Sequence, residues 1–438
     1  MKKLFRLVDC FRSMESPLAF WGEASFPANG TGRNGHTGQK GRLPSKTSIL
    51  KGRRLLIEEL EDRRLLSVTA AEYEAIREAY AGLELPEPVE GTIPADLNII
   101  EIDAANLSVS NLKAAITAAG TTTTDDLIVL RTTDEANTIT YTDAADEISI
   151  DLDSESYGKL SIVAFGTKPL TIDANQLSRT MNISAGTVNL GNLTITHGKT
   201  KECGGGIYTK AGALTLTYCT IDNNYSAQHG GGIFNESASL TMVGCTVNGN
   251  ISRASGGGVS SSGTLMMTGC IVRGNSSQCG GGISVSAASI LIDCAIIGNS
   301  AKDYGVFYSY VRYGGGIAHG GNLTLINCTV SGNSASDGGG IRNSSGTLTL
   351  NNTIVALSYG SDYGSDIDGS LSADSSHNLI GIDPKFTVSP IFGKNGVLTN
   401  ADLLDLKLTA ESWAIDRGNN TYVTNSVDMA GNTRVIRS

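Results

Sequence analysis

Residues 203–224 contain Cys203-Gly204-Gly205-Gly206-Ile207, then Leu214-Thr215-Leu216, then Cys219-Thr220-Ile221-Asp222-Asn223-Asn224, and the chain goes on repeating this phrase. Glycine triplets begin at Gly204, Gly230, Gly256, Gly280, Gly314 and Gly338, and each is followed by a β-branched residue: Ile207, Ile233, Val259, Ile283, Ile317 or Ile341. A spacing of 24 to 26 residues, broken once by a ten-residue insertion, is the mark of a solenoid in which one repeat makes one coil. Leu214-Thr215-Leu216, Leu240-Thr241-Met242, Leu323-Thr324-Leu325 and Leu348-Thr349-Leu350 alternate with period two, which buries one face of a strand and leaves threonines on the other. Helical spacing does not recur, and a glycine triplet in every unit would be costly inside helices. The fold class expected is therefore all-β, a right-handed parallel β-helix of about three short strands per coil.

In such a coil, equivalent residues stack about 4.8 Å apart. One predicted file holds Asn192, Cys219, Cys245, Cys270, Cys294, Cys328 and Asn352, followed by Ile195, Ile221, Val247, Val272, Ile296, Val330 and Ile354. A second file, five positions after each cysteine, holds Asn224, Asn250, Asn275, Asn299 and Asn333, whose amides can bond to one another and to the turn backbone. The stacked cysteines read as small buried residues, because side chains running parallel suit a disulfide poorly. Cys203 and Cys279 are three coils apart, too far to bridge.

Gly-Gly-Gly-Ile recurring in phase with Ile/Val-x-x-Asn over residues 203–357 resembles the polymorphic outer-membrane protein repeat, with Ile or Val where that family has Phe. The resemblance implies a right-handed parallel β-helix on an exported, surface-displayed protein, and it implies no catalysis. Leu60-Glu61-Asp62-Arg63-Arg64-Leu65-Leu66-Ser67 resembles the N-terminal sorting segment of large planctomycete surface proteins, with Asp62 in place of Pro. Towards the C-terminus, Asn378-Leu379-Ile380-Gly381, Asp383-Pro384, Ser412-Trp413-Ala414-Ile415-Asp416 and Asp428-x-x-Gly431-Asn432 are similar to the closing segment of exported β-helix proteins with variable anchors.

The domains expected are a leader and sorting segment over 1–67, largely disordered, a helix and linker over 68–95 and an N-terminal cap with a short helix over 96–125. The β-helix follows over 126–357, and a non-repetitive closing segment over 358–438. Of 438 residues, the first 67 carry 13 Lys and Arg against 7 Asp and Glu, and the remainder 20 against 36. An acidic body cannot neutralise phosphates, so no nucleic acid is expected as a partner. No stretch is apolar and long enough for a transmembrane segment, and the expected location is extracytoplasmic, secreted or surface-associated.

Catalysis on a β-helix needs converging carboxylates with a basic residue, or two carboxylates straddling a glycosidic bond. Residues 198–357 hold six acids, Glu202, Asp222, Glu236, Asp293, Asp303 and Asp337, and their repeat positions give no stacked pair. His229 and His319 flank glycines and read as solvated turn residues. Asp362, Asp366 and Asp368 match no calcium loop. No cofactor or metal is expected. The candidate binding loop is the insertion, with Tyr304, Phe307, Tyr308, Tyr310, Arg312 and Tyr313, because aromatic side chains bring contact area at low entropic cost. It either projects as a contact surface or folds its rings onto the coil. These features point to a structural or adhesive surface module whose partner is a surface polysaccharide or another envelope protein. The alternatives are a polysaccharide lyase or glycosidase on the same scaffold, and a passive envelope spacer.

Overall fold

In the coil that begins at Ile207, strands Ile207–Thr209, Ala213–Thr217, Thr220–Asp222 and Tyr225–Ser226 follow one another. Their counterparts in successive coils pair in parallel, giving four sheets of nine, ten, ten and seven strands, here called sheets I to IV in that order. The computed structural model describes residues 68–88, 91–152, 157–304, 313–363, 366–384 and, further on, 408–409, 411–412, 414 and 418–422. Over those residues the chain is a parallel β-solenoid of about ten turns. A coil thus has four strands rather than three. The extra one is a short strand after each corner asparagine, two residues long after Asn224, Asn250, Asn275 and Asn299 and four after Asn333, too short for a periodicity signal.

The interior is filled in files. Ile207, Ile233, Val259, Ile283, Ile317 and Ile341 pair in register on sheet I and all are 0 % exposed. Burying one such side chain stabilises by roughly 1.5–3 kcal/mol. Pairing of Thr220 with Thr246 and of Thr246 with Ile271 puts Cys219, Cys245 and Cys270 one over another, and the file goes on through Cys294 and Cys328. Two expected members are displaced by one residue. Thr220 pairs with Thr194, so Leu193 and not Asn192 precedes Cys219. Thr329 pairs with Ile354, so Thr353 and not Asn352 follows Cys328, and Val355 rather than Ile354 continues the Ile/Val file. Asn192 and Asn352 instead join Tyr218, Gly244, Gly269, Asp293 and Asn327 at the bend just before the cysteines, all with φ between 51° and 62°, a conformation in which Asn, Asp and Gly recur.

The triplet Gly280-Gly281-Gly282 has a separate reason for each member. Gly280 adopts φ 63°, a Cβ on Gly281 would lie 2.4 Å from the Gly315 carbonyl oxygen, and one on Gly282 would lie 2.9 Å from the Asn299 amide carbon. Only glycine lets this corner nest against the next coil.

The ends are closed differently. The helix Val109–Ala119, capped by Ser108, turns Leu112, Ala115, Ile116 and Ala119 into the core at the first coils. The helix Ala70–Ala79 begins at the capping box of Thr69 and Glu72. It lies on the flank, where Tyr73, Ile76, Tyr80 and Leu83 cover the outward Leu97, Leu127, Val129 and Val163 of sheet II. A strand Leu97–Ile102, which begins directly after the turn at Pro94, starts that sheet. At the other end Leu379–Ile380 adds a last rung to sheet III, and Asn352 bonds Asn419 in both directions, at 2.7 and 2.8 Å. The sorting segment at Leu60 to Ser67, Trp413 and Asp428 lie outside the described residues.

Candidate functional site

The two described ends of the aromatic insertion turn inward. The Tyr304 hydroxyl donates to Ser276 Oγ at 2.8 Å, and Arg253 holds the Tyr304 carbonyl at 2.9 Å. Tyr313 is 7 % exposed, packs with Cys279 and lies under the Arg342 guanidinium at 5.4 Å. Phe307, Tyr308, Tyr310 and Arg312 lie outside the described residues.

The two ladders form the inner walls on either side of sheet III. Each asparagine amide from Asn250 to Asn299 gives one N–H to a carbonyl of the preceding coil and the other to the next asparagine's Oδ1, while its own Oδ1 takes two bonds from the asparagine before it. For Asn275 these are Val247 O at 2.9 Å, Asn299 Oδ1 at 3.0 Å, and the Asn250 N–H and Nδ2 at 2.9 and 3.0 Å. The chain opens with Asn224, whose Oδ1 takes the Gly198 N–H, and ends with Asn333 on Ile296 O. The cysteines do more than fill space. All five are free thiols, and each Sγ donates to the carbonyl of Leu190, Leu216, Met242, Met267 or Leu291. Thr353 and Asn378 make the same bond at the end of the file, to Leu325 and Leu350.

His319 contradicts the expectation of a solvated turn. It pairs with Val285 and Asn343 on the inward side of sheet I and is 0 % exposed. Burial drives its imidazole down to about 4, so it is neutral, with Nδ1 donating to Gly321 O at 3.1 Å. The cue missed in the sequence was its offset of two from Ile317, which puts it on the core face.

Several charged groups are held in structural contacts. Arg179, 7 % exposed, donates to the carbonyls of Cys203 and Gly204 and to Glu147 and Glu202. The coil before the first triplet lacks the glycine code, and this guanidinium supplies the donors. Glu236 accepts from the Tyr208 hydroxyl, Asp366 from the Ser358 N–H at 2.9 Å, and Asp368 pairs with Arg342.

A different group is assembled on the outer face of sheet III. Asp173 pairs with Thr196, and Thr196 with Asp222, so the two carboxylates stand in one outward file with a threonine between them. The Asp173 carboxylate accepts from the Asn175 N–H at 2.8 Å and faces His197 Nδ1 at 3.0 Å. Its side chain is 25 % exposed and that of His197 45 %. Asp222 Oδ2 takes Asn223 Nδ2 at 3.1 Å, while its Oδ1 is buried without a partner. Burial raises the Asp222 carboxyl above the usual range against the pull of Thr196, His197 and Asn223, and the charge of Asp173 adds to the rise. The neighbouring outward file holds Thr171, Thr194, Thr220 and Thr246. Across the strand stands Tyr218, 55 % exposed, with its ring over Gly244, where a Cβ would fall 2.5 Å from it. The sequence signal was present: Leu170-Thr171-Ile172-Asp173, Leu193-Thr194-Ile195-Thr196 and Cys219-Thr220-Ile221-Asp222 are one phrase in three coils. An acid count that begins at residue 198 passes over its first member.

No family description matches the chain, and no curated protein matches it. Among solved structures it is similar to a crystal structure of pectate lyase Pel9A, at 14 % identity over 77 % of this chain and 96 % of that one, with a TM-score of 0.48. At that distance the likeness carries nothing about activity.

Proposed function

We propose that the chain is an exported, surface-associated β-helix that binds a saccharide across the outer face of sheet III. The observation that carries this reading is the threonine file Thr171, Thr194, Thr220 and Thr246 with Tyr218 at one edge and Asp173, His197 and Asp222 at the other. Sugars are recognised by hydroxyl and carboxylate hydrogen bonds together with an apolar ring face, and a rigid sheet presents these groups at fixed spacing. The resemblances to the outer-membrane repeat and to the planctomycete sorting segment support export and surface display. Fractionation of the source cells, with sequencing of the mature N-terminus, tests that part. Finding the intact chain in the cytoplasm would overturn it.

Affinity electrophoresis of the full chain through gels containing neutral or acidic polysaccharides tests binding. Tyr218→Ala is expected to abolish the retardation and Tyr308→Ala to leave it. The opposite pattern would move the adhesive surface to the insertion, and no retardation in any gel would leave a spacer. A lyase reading that uses Arg179 as its base is disfavoured by the four acceptors that engage its guanidinium.

A further inference from the structure

We propose that the inner cysteine file, Cys219, Cys245, Cys270, Cys294 and Cys328, binds a soft divalent ion that takes two sulfurs in line, of which mercury(II) is the type, with two ions per chain, each between neighbouring members. The proposal is independent of the saccharide-binding reading, which concerns the outer face of the same sheet.

The sulfurs repeat with the coil, not only the letters. Each Sγ sits between the same two carbonyls: that of the residue two positions before it, at 3.2 to 3.5 Å, and one in the preceding coil, at 3.3 to 3.6 Å. Equivalent placement in five coils makes the step from one sulfur to the next the strand spacing, about 4.8 Å. The file is continuous. Cys219 meets Cys245, Cys245 meets Cys270, Cys270 meets Cys294 and Cys294 meets Cys328, side chain to side chain, and the Cys294 N–H reaches Cys328 Sγ at 3.5 Å. A point midway between two neighbours lies about 2.4 Å from each sulfur, against about 2.3 Å for a metal–sulfur bond. An ion there binds both sulfurs without moving either backbone.

Coordination number and charge select the ion. Among the described residues no group of three or more His, Cys, Asp or Glu is placed to share an ion, which rules out the four-ligand site that zinc takes. Thiolates hold soft ions. All five cysteines are at most 1 % exposed, and an unbalanced charge at that depth is costly. Two thiolates cancel a doubly charged ion, whereas copper(I) or silver(I) would leave a negative charge in the core. A thiolate shared by two divalent ions would leave a positive one. Five sulfurs therefore hold two ions and one thiol.

In the binding step the ion gives up two solvent ligands. Two S–H bonds break, two metal–sulfur bonds form and two protons pass to solvent, with no change of oxidation state. The thiol protons released are those held only by the long carbonyl contacts. Because the file lies in the core, entry requires coils to part.

The test offers mercuric chloride to the full chain, once by long incubation of the folded protein and once during refolding from urea. Loosely held ion is removed by dialysis against free cysteine, and bound ion is counted per chain. X-ray absorption reports its ligands, expected to be two sulfurs at about 2.3 Å. Cys270→Ser should keep every equivalent, because Cys219 with Cys245 and Cys294 with Cys328 remain as pairs. Cys245→Ser combined with Cys294→Ser leaves three thiols of the file with serine between them, and should lose two equivalents and the two-sulfur signature. Comparing variants cancels ion taken by Cys203, a free thiol outside the file. Cys294→Ser alone leaves one pair and should lose one equivalent, which keeps the test open if the double variant does not fold. Bound ion should raise the melting temperature of the unaltered chain and not of the double variant. Equal uptake by the serine variants and the unaltered chain, a lower count in Cys270→Ser, or no two-sulfur ion after either treatment would overturn the proposal.

Discussion

The two corners that flank sheet III share a geometry and differ in chemistry. At both, a residue with positive φ is followed by an inward polar side chain that reaches back to a carbonyl of the preceding coil. At one corner that side chain is an asparagine, which also bonds its neighbours above and below, making an unbroken amide chain from Asn224 to Asn333. At the other it is a cysteine, a weak donor that makes its carbonyl contacts at 3.3 to 3.6 Å. The asparagine file is uniform over five coils, and the cysteine file gives way to Thr353 and Asn378. A fully bonded network depends on every member, because removing one leaves its neighbours buried and unpaired. A file of separate weak bonds accepts any small donor.

The most damaging test of that contrast is Asn275→Ala. It strips the acceptor from the Asn250 N–H and Nδ2 and the donor from Val247 O, and at about 1–3 kcal/mol for each orphaned group should cost at least about 3 kcal/mol in urea unfolding. A loss below about 1 kcal/mol would mean that the ladder contributes little.

His319 is a buried polar group outside either ladder, and its cost should depend on pH. Its folded value is lowered to about 4 from 6.5, so the unfolded chain takes up the proton first. Its contribution is present above pH 6.5 and is lost as pH falls towards 4, up to about 3 kcal/mol. His319→Asn, which copies Asn235 and Asn343 of the same file, should flatten that slope in melting temperature between pH 7 and 4. An unchanged slope would place the titrating group elsewhere.

Gly269→Ala probes the bend itself. The position has φ 62° and nothing within 4 Å of an added Cβ, so only the left-handed conformation is penalised, at about 1 kcal/mol in the same unfolding assay. Cys270→Ser should have the smallest effect, within about 1 kcal/mol, since a hydroxyl already occupies the site at Thr353. A loss as large as that of Asn275→Ala would erase the distinction between the two corners.

The solenoid, its period and both inner files were legible in the sequence because each coil repeats the same residue at the same place, so stacking writes one structural requirement many times over. Register errors arose where the code is weakest, at Asn192 and Asn352, where a one-residue offset leaves composition unchanged. The helix Ala70–Ala79 could be read from its capping box, but its place on the flank of sheet II could not, since that depends on apolar outward residues of strands far along the chain. The outer site belongs to the same class. Asp173 and Asp222 close a phrase that three coils repeat, but the phrase by itself does not show that they and His197 meet on one outer face. Periodicity determined what faces inward, because burial applies the same demand to every coil. Only the winding of three particular coils over one another decided which outward groups meet, because proximity across a parallel rung is a property of register and not of neighbouring letters.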